Sequence, residues 1–159
     1  MKIFVVVGTQ EPFDRMLRAI DEWAIEQAFT DIFAQISRAE FIPVGFESTD
    51  FISPELFDLK FKEADLIVSH AGMGTIISAL QHSKPIIVMP RLAQFHEHRN
   101  DHQLATAKSF AKLGFVKAVY SETELQQALD AASEMKPAPA IGSGASTGLI
   151  EYLKEVISE

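Results

Sequence analysis

Hydrophobic and polar positions follow two alternating textures along this chain. Short, wholly apolar runs recur between longer stretches in which apolar residues return every three or four positions. Lys2 to Val7 is a run of the first kind, rich in β-branched residues, and predicts a strand covered on both faces. Gly8-Thr9-Gln10 reads as the turn after it. A helix is predicted from about Pro12, proline being tolerated in a first turn, and Phe13, Met16, Leu17, Ile20 and Ala24 share one of its faces. Asp31 to Ile36 predicts a second strand, Phe41 to Phe51 holds a third, and Pro54 opens a short helix to about Ala64. Asp65 to Ser69 is another buried strand, followed by a helix over Met73 to His82. Pro85 to Met89 is a strand with proline at its first position, where strands accept it. A helix from about Asn100 to Leu113 stops at Gly114, in the position of a C′ glycine. Phe115 to Val119 is a last strand. Ser121 with Glu124 three residues on has the capping-box pattern and opens a helix to about Met135.

Strands alternating with helices, and strands apolar throughout rather than every second residue, predict an α/β fold. The sheet is expected to be parallel and Rossmann-like, with helices on both faces and a single lobe. The lobe is placed at residues 1–135. Residues 136–148, rich in Pro, Ala, Gly and Ser, read as a flexible connector. A linker is the simpler reading of Gly142, Gly144 and Gly148 than a ligand loop. Residues 149–159 read as a short amphipathic helix, a candidate for docking on a partner.

Composition narrows the function classes. The 159 residues suit one domain with a substantial core. A formal net charge of -8 argues against a general nucleic-acid binder, which would carry a basic face. The chain has no cysteine, which excludes disulfides and thiolate zinc sites and fits a reducing compartment. The apolar run at the N-terminus is too short for a signal-peptide core and lacks a small-residue cleavage site. No run approaches the roughly 18 apolar residues of a membrane span. Membrane association is therefore expected to come through a partner or a surface patch.

Three segments fall where open parallel sheets bind ligands, outside the carboxyl ends of the strands. They are Gly8-Thr9-Gln10, Ser69 to Thr75, and Pro90 to Gln103. In the second, Gly72 and Gly74 sit where strand passes into helix, so backbone N–H groups can approach phosphate oxygens, helped by the positive helix terminus. Thr75 offers a hydroxyl. A tight turn without a ligand explains the two glycines equally well. Gly72-Met73-Gly74 lacks the third glycine of a dinucleotide fingerprint, so NAD is not supported. The third segment carries three of the five histidines, His96, His98 and His102. His98 and His102 are spaced to share a helix face, yet His96-Glu97-His98 does not match the metalloprotease pattern. A solvated helix start outweighs a zinc site there. Arg91 or Arg99 suits a diphosphate, and Asn100 and Gln103 suit sugar hydroxyls. His70, alone, reads as structural or, given the turn that follows, as a ligand contact. The sequence contains no Asp-x-Asp metal signature, no P-loop and no convincing Ser-His-Asp order. Of twelve phenylalanines, seven lie between Phe29 and Phe61; core is the favoured reading, a partner surface the other.

Gly8-Thr9-Gln10, Ser69-His70-Ala71-Gly72-Met73-Gly74-Thr75, Lys84-Pro85 and His102-Gln103 together resemble one family over roughly Met1 to Val119. It is the C-terminal, donor-binding half of the GT-B glycosyltransferases of family 28. The short length resembles split members, such as the soluble subunit of the UDP-GlcNAc transferase of N-glycan assembly. The run GMGTIISALQHSKPIIVMPR with HRNDHQLATA is most similar to bacterial exopolysaccharide and capsule subunits of the PssE type. The resemblance implies a UDP-sugar donor and a lipid-linked saccharide acceptor, with inversion at the anomeric carbon and no metal or other cofactor. It implies that Gly8 and Thr9 line the donor cleft, and that His70, Ala71, Gly72, Gly74 and Thr75 contact the diphosphate or uridine. Arg91 would complete the donor site, and His102 and Gln103 would reach the sugar. The family often carries an acid where Ser78 stands, as a ribose contact. The acceptor lobe, and with it the general base, would come from a membrane-associated partner at the inner face of the cell membrane. A noncatalytic companion that stabilises or stimulates such a partner is the alternative.

Overall fold

A computed structural model describes residues 1–137; residues 138–159, with most of the expected connector and all of the expected final helix, lie outside the described residues. Six strands form one parallel sheet: β1 (Ile3–Val6), β2 (Ile32–Gln35), β3 (Glu47–Thr49), β4 (Leu66–His70), β5 (Ile86–Met89) and β6 (Lys117–Ala118). Five helices connect or follow them: α1 (Asp14–Gln27), α2 (Pro54–Glu63), α3 (Met73–Gln81), α4 (His102–Lys112) and α5 (Glu122–Asp130). The strand order is β3-β2-β1-β4-β5-β6. The chain builds outward from β1 in one direction, then returns to the other side of β1 with β4. That reversal opens a crevice above the carboxyl ends of β1 and β4.

The uniform apolarity of the central strands is explained by two cores, one on each face. Ile3, Val5 and Val7 point into one core with Leu17 and Ile20 of α1 and Leu125 and Leu129 of α5. Phe4 and Val6 point into the other with Phe61 of α2, Ile76 and Leu80 of α3, and Phe110 of α4. Alternate residues of one strand thus serve opposite layers, so neither set can be polar. Most phenylalanines are core, as in the edge-to-face contacts of Phe4 with Phe57 and Phe61. Phe51 and Phe95 are the exceptions, 44% and 51% exposed.

Local signals fix several boundaries. Ser53 caps α2 by accepting from Leu56 N–H, with Pro54 in the first turn. Ser121 accepts from Glu124 N–H, and the Glu124 carboxylate accepts from the Ser121 hydroxyl and Tyr120 N–H. Gly114 has φ +79° just past α4, and its N–H and that of Phe115 close the helix on Ala111 and Phe110 carbonyls. Within Phe41 to Phe51 the third strand is Glu47–Thr49, short because the preceding loop is held to α1: Asp21 Oδ1 accepts from Val44 and Gly45 N–H at 3.2 and 2.7 Å. One expectation needs correction. The last helix stops at Asp130 rather than Met135. A single 3-10 turn, Ala132–Glu134, follows, and Met135 is already extended ahead of Pro137.

Candidate functional site

The crevice above β1 and β4 is a cleft with two unlike halves, joined along Gly8, Thr9, Gly74 and Thr75. The polar half, about 440 Å³, also holds Glu11, His70, Arg91, His98 and Gln103. The half on the β2 side, about 500 Å³, is mainly apolar, with Phe51, Ile52, Pro54 and Phe57, and it includes Gln35 and Ser78.

The turn after β1 is held rigidly. Gly8 sits at φ +86°, a conformation that favours glycine. Gln35, buried at the end of β2, bonds it from below. Its Oε1 accepts from Gly8 and Val7 N–H at 3.1 and 3.3 Å, and its Nε2 donates to the carbonyls of Gly8 and Asp50 at 2.8 and 3.0 Å. One amide side chain thereby ties three strand ends together.

His70, the last residue of β4, is the centre of the polar half. Its Nδ1 lies 3.0 Å from Arg91 Nη1 and 3.2 Å from Gln103 Nε2. The ring occupies the space that side chains at Gly8 and Gly72 would need. A Cβ on Gly72 would stand 2.1 Å from His70 Cε1, and one on Gly8 would stand 3.0 Å from Nε2. Burial, then the nearby Arg91 and His98, lower the His70 pKa from 6.5 to about 3. The imidazole is therefore neutral at physiological pH.

Arg91 is almost wholly buried. Its Nη2 donates to the carbonyls of Val7 and Glu11, and its guanidinium lies 5.2 Å over the Phe13 ring. Burial lowers its pKa to about 10, against the opposing pull of Glu11 and Glu97, so it stays charged at neutral pH. The loop beyond it is clamped to α1 by Glu97, whose carboxylate accepts from Arg15 Nε and Nη2 at 2.8 and 2.9 Å and from Leu92 N–H at 3.0 Å.

The first turn of α3 supplies donors. Gly72 is its N-cap and makes no side-chain cap, and the first N–H bonded back into the helix is that of Ile76, to Gly72 O. The N–H groups of Met73, Gly74 and Thr75 thus have no partner within the helix and lie at its positive end. Nothing stands within 4 Å of where a Gly74 side chain would be. Gly72 is glycine because of His70; Gly74 has no such steric reason, and its open side faces the cleft.

Of the residues singled out from sequence, Gly8, Thr9, His70, Gly72, Gly74, Thr75, Arg91 and Gln103 come together around the polar half. Two do not reach it. Ala71 is buried and its N–H is spent on Gln103 Oε1. His102 opens α4 with its side chain exposed; the next residue is rotated about 100° around the helix, which sends Gln103 inward and His102 out to solvent. Arg99 and Asn100 are also exposed outside the cleft, and the Asn100 side-chain Oδ1 accepts from His102 N–H. His98 precedes α4 in a loop and shares no helix face with His102. Among the described residues no group of three or more His, Cys, Asp or Glu side chains is placed to hold a metal ion. Sequence reading missed Gln35, Phe51 and Ile52, whose places depend on which strand ends meet; His98, read as part of the Pro90–Gln103 segment, lines the polar half. The dipeptide Phe51-Ile52 just before a helix N-cap was the one available signal.

Comparison with known proteins agrees with this geometry. The profile of the glycosyltransferase family 28 C-terminal domain matches residues 2–152. The human UDP-N-acetylglucosamine transferase subunit ALG13 is 30% identical over 123 residues, 70% of this chain and 10% of that protein. The chain thus spans about a tenth of that relative's length. A solution NMR structure of ALG13 superposes with a TM-score of 0.67 at 22% identity, covering 99% of this chain and 97% of the other. The glycosyltransferase of kitacinnamycin superposes at 0.60 with 20% identity, over 98% of this chain and 39% of that one. The two superpositions establish the fold, a lobe of the GT-B C-terminal type. With a profile match over nearly its whole length, the chain belongs to the glycosyltransferase family 28 C-terminal domains.

Proposed function

We propose that this chain is the donor-binding subunit of a two-component glycosyltransferase, holding a UDP-sugar across the two halves of the cleft. One observation carries the reading. The uncapped first turn of α3, open at Gly74, faces the neutral His70 ring across a polar cleft. That is an arrangement of donors suited to an anionic diphosphate. The Thr75 hydroxyl stands where the halves join. The apolar half, walled by Phe51, Ile52 and Phe57, suits a pyrimidine base, with the Ser78 hydroxyl beside it for ribose. The sugar then lies toward Arg91, His98 and Gln103.

In transfer, the bond between the anomeric carbon and the β-phosphate oxygen breaks, and negative charge develops on the departing UDP. The α3 N-terminus and the His70 N–H are placed to stabilise it, assisted by the buried Arg91 charge. This reading assigns that task to protein donors rather than to a metal ion, in keeping with a sequence that lacks an Asp-x-Asp pair. His70 is a donor rather than a base, since its pKa lies near 3. The base that activates the acceptor hydroxyl is assigned to a partner lobe closing over the cleft. Similarity to a transferase subunit supports a divided enzyme; within this proposal the acceptor is a lipid-linked saccharide of exopolysaccharide assembly, presented by the partner at the inner membrane face. Among the described residues no helix is long and apolar enough to cross a membrane; in this proposal the partner makes the membrane contact.

Calorimetric titration tests the site: UDP should bind, UMP more weakly and ADP more weakly still. Equal affinity for UDP and UMP would contradict the diphosphate assignment. Transfer from a panel of UDP-sugars to membrane lipid, with this chain alone and then with its partner, tests the divided enzyme. A noncatalytic companion is the second reading. It is favoured by the exposed position of Glu11, the one carboxylate among the described residues lining the polar half. Transfer by the partner that is unchanged when this chain is omitted would establish it.

A further inference from the structure

Gln103 and Arg91 do not present their polar groups mainly to the cleft; both converge on one nitrogen of His70. We infer that together they are positioning residues that hold the His70 ring as its Nε2–H tautomer, so that a single N–H donor points into the cleft.

Gln103 Oε1 lies 3.2 Å from Ala71 N and 3.1 Å from Arg91 N, and both of those backbone groups are donors. The atom between them must therefore be the amide oxygen, which turns the amide NH2 toward His70 Nδ1 at 3.2 Å. The second neighbour of Nδ1 is Arg91 Nη1 at 3.0 Å, and a guanidinium has no acceptor. With donors on both sides, Nδ1 must offer its lone pair, and the proton of the neutral ring resides on Nε2.

Nε2 in turn lies 3.0 and 2.7 Å from the positions that side chains at Gly8 and Gly72 would occupy. The two glycines therefore keep this edge of the ring uncovered. Protonating the ring would set an Nδ1–H against two donors and place a cation beside Arg91, with His98 also facing it and Glu11 and Glu97 farther off around Arg91. The low His70 pKa is the consistent consequence. Gln103 thus acts through His70 as well as lining the cleft. The use of this N–H toward a diphosphate rests on the donor-site reading above; the tautomer itself does not.

The test is long-range 15N NMR of the histidine rings in the free, full-length protein, followed by UDP titration of the wild type, Gln103→Glu and Gln103→Met. The wild-type ring should show a protonated Nε2 and an unprotonated Nδ1. Gln103→Glu places an acceptor beside Nδ1 and should move the proton there or charge the ring, with UDP affinity falling about tenfold or more. Gln103→Met should give mixed tautomers and a smaller loss, with a dispersed amide spectrum showing that the chain still folds. A protonated Nδ1 in the wild type overturns the inference, as does an Nε2–H ring that is unmoved in both variants. An Nε2–H ring that responds to Gln103→Glu in a protein that binds no UDP upholds the tautomer assignment and overturns the donor-site reading instead.

Discussion

Gly72 and Gly74 look interchangeable in the sequence and are opposite cases in the fold. A side chain on Gly72 collides with the His70 ring, whereas one on Gly74 meets only open space. Gly72→Ala should therefore cost about 1–3 kcal/mol of stability by forcing the ring aside. Gly74→Ala should leave the chain as stable, or gain up to about 1 kcal/mol from helix propensity, and yet weaken UDP binding because the methyl group enters the cleft. Urea unfolding and calorimetry on both variants check this; a Gly74→Ala protein with wild-type UDP affinity would place the ligand elsewhere. His70 gives a pH signature. Its folded pKa of about 3 is below the unfolded value of 6.5, so below pH 6.5 the unfolded chain binds the extra proton. This group then contributes nothing above pH 6.5 and progressively destabilises as pH falls toward 3, by at most on the order of 5 kcal/mol. His70→Gln should show a shallower loss of stability between pH 6.5 and 4 than the wild type. Identical slopes would mean that the ring is not held neutral.

At the scale of elements, the strand ends make the site, and the residue that joins them is Gln35. Replacing it with Leu keeps the bulk and deletes the bonds to Gly8 and Asp50. Buried backbone groups left without that partner should cost roughly 2–3 kcal/mol, and the freed Gly8 turn should weaken UDP binding beyond what the stability loss explains. Wild-type UDP affinity in a folded Gln35→Leu protein would show that the turn needs no such support. Most elements were legible in the sequence because the signals that set them are local: the apolar run of β1, Pro54 at the start of α2, the Ser121 cap, the stop at Gly114. The short β3 was not, because its limits depend on Asp21 of α1 holding the loop before it. The polar half of the cleft was legible because its residues follow strands directly. The apolar half was not: Phe51 and Ile52 are loop residues whose place follows from β2 lying beside β1. Side-chain direction was equally hidden, and a single residue of helical phase separates exposed His102 from buried Gln103.

For the molecule as a whole, strand order sets what the chain can do. The reversal at β1 places the Gly8 turn, the His70 ring and the α3 N-terminus around one crevice, with a mainly apolar pocket beside it. The exposed Phe51 lines the apolar half of that cleft. The proposed donor site comes down to a uridine diphosphate lying along the joined halves with its phosphates at α3. Titration of UDP into the 15N-labelled chain, followed through the backbone amides, is the decisive experiment. Saturable shifts are expected at Gly8, Thr9, Gly74 and Thr75, with Ile52 and Ser78 moving for UDP and not for inorganic pyrophosphate. Shifts confined to other surfaces, or none at millimolar UDP, would contradict it.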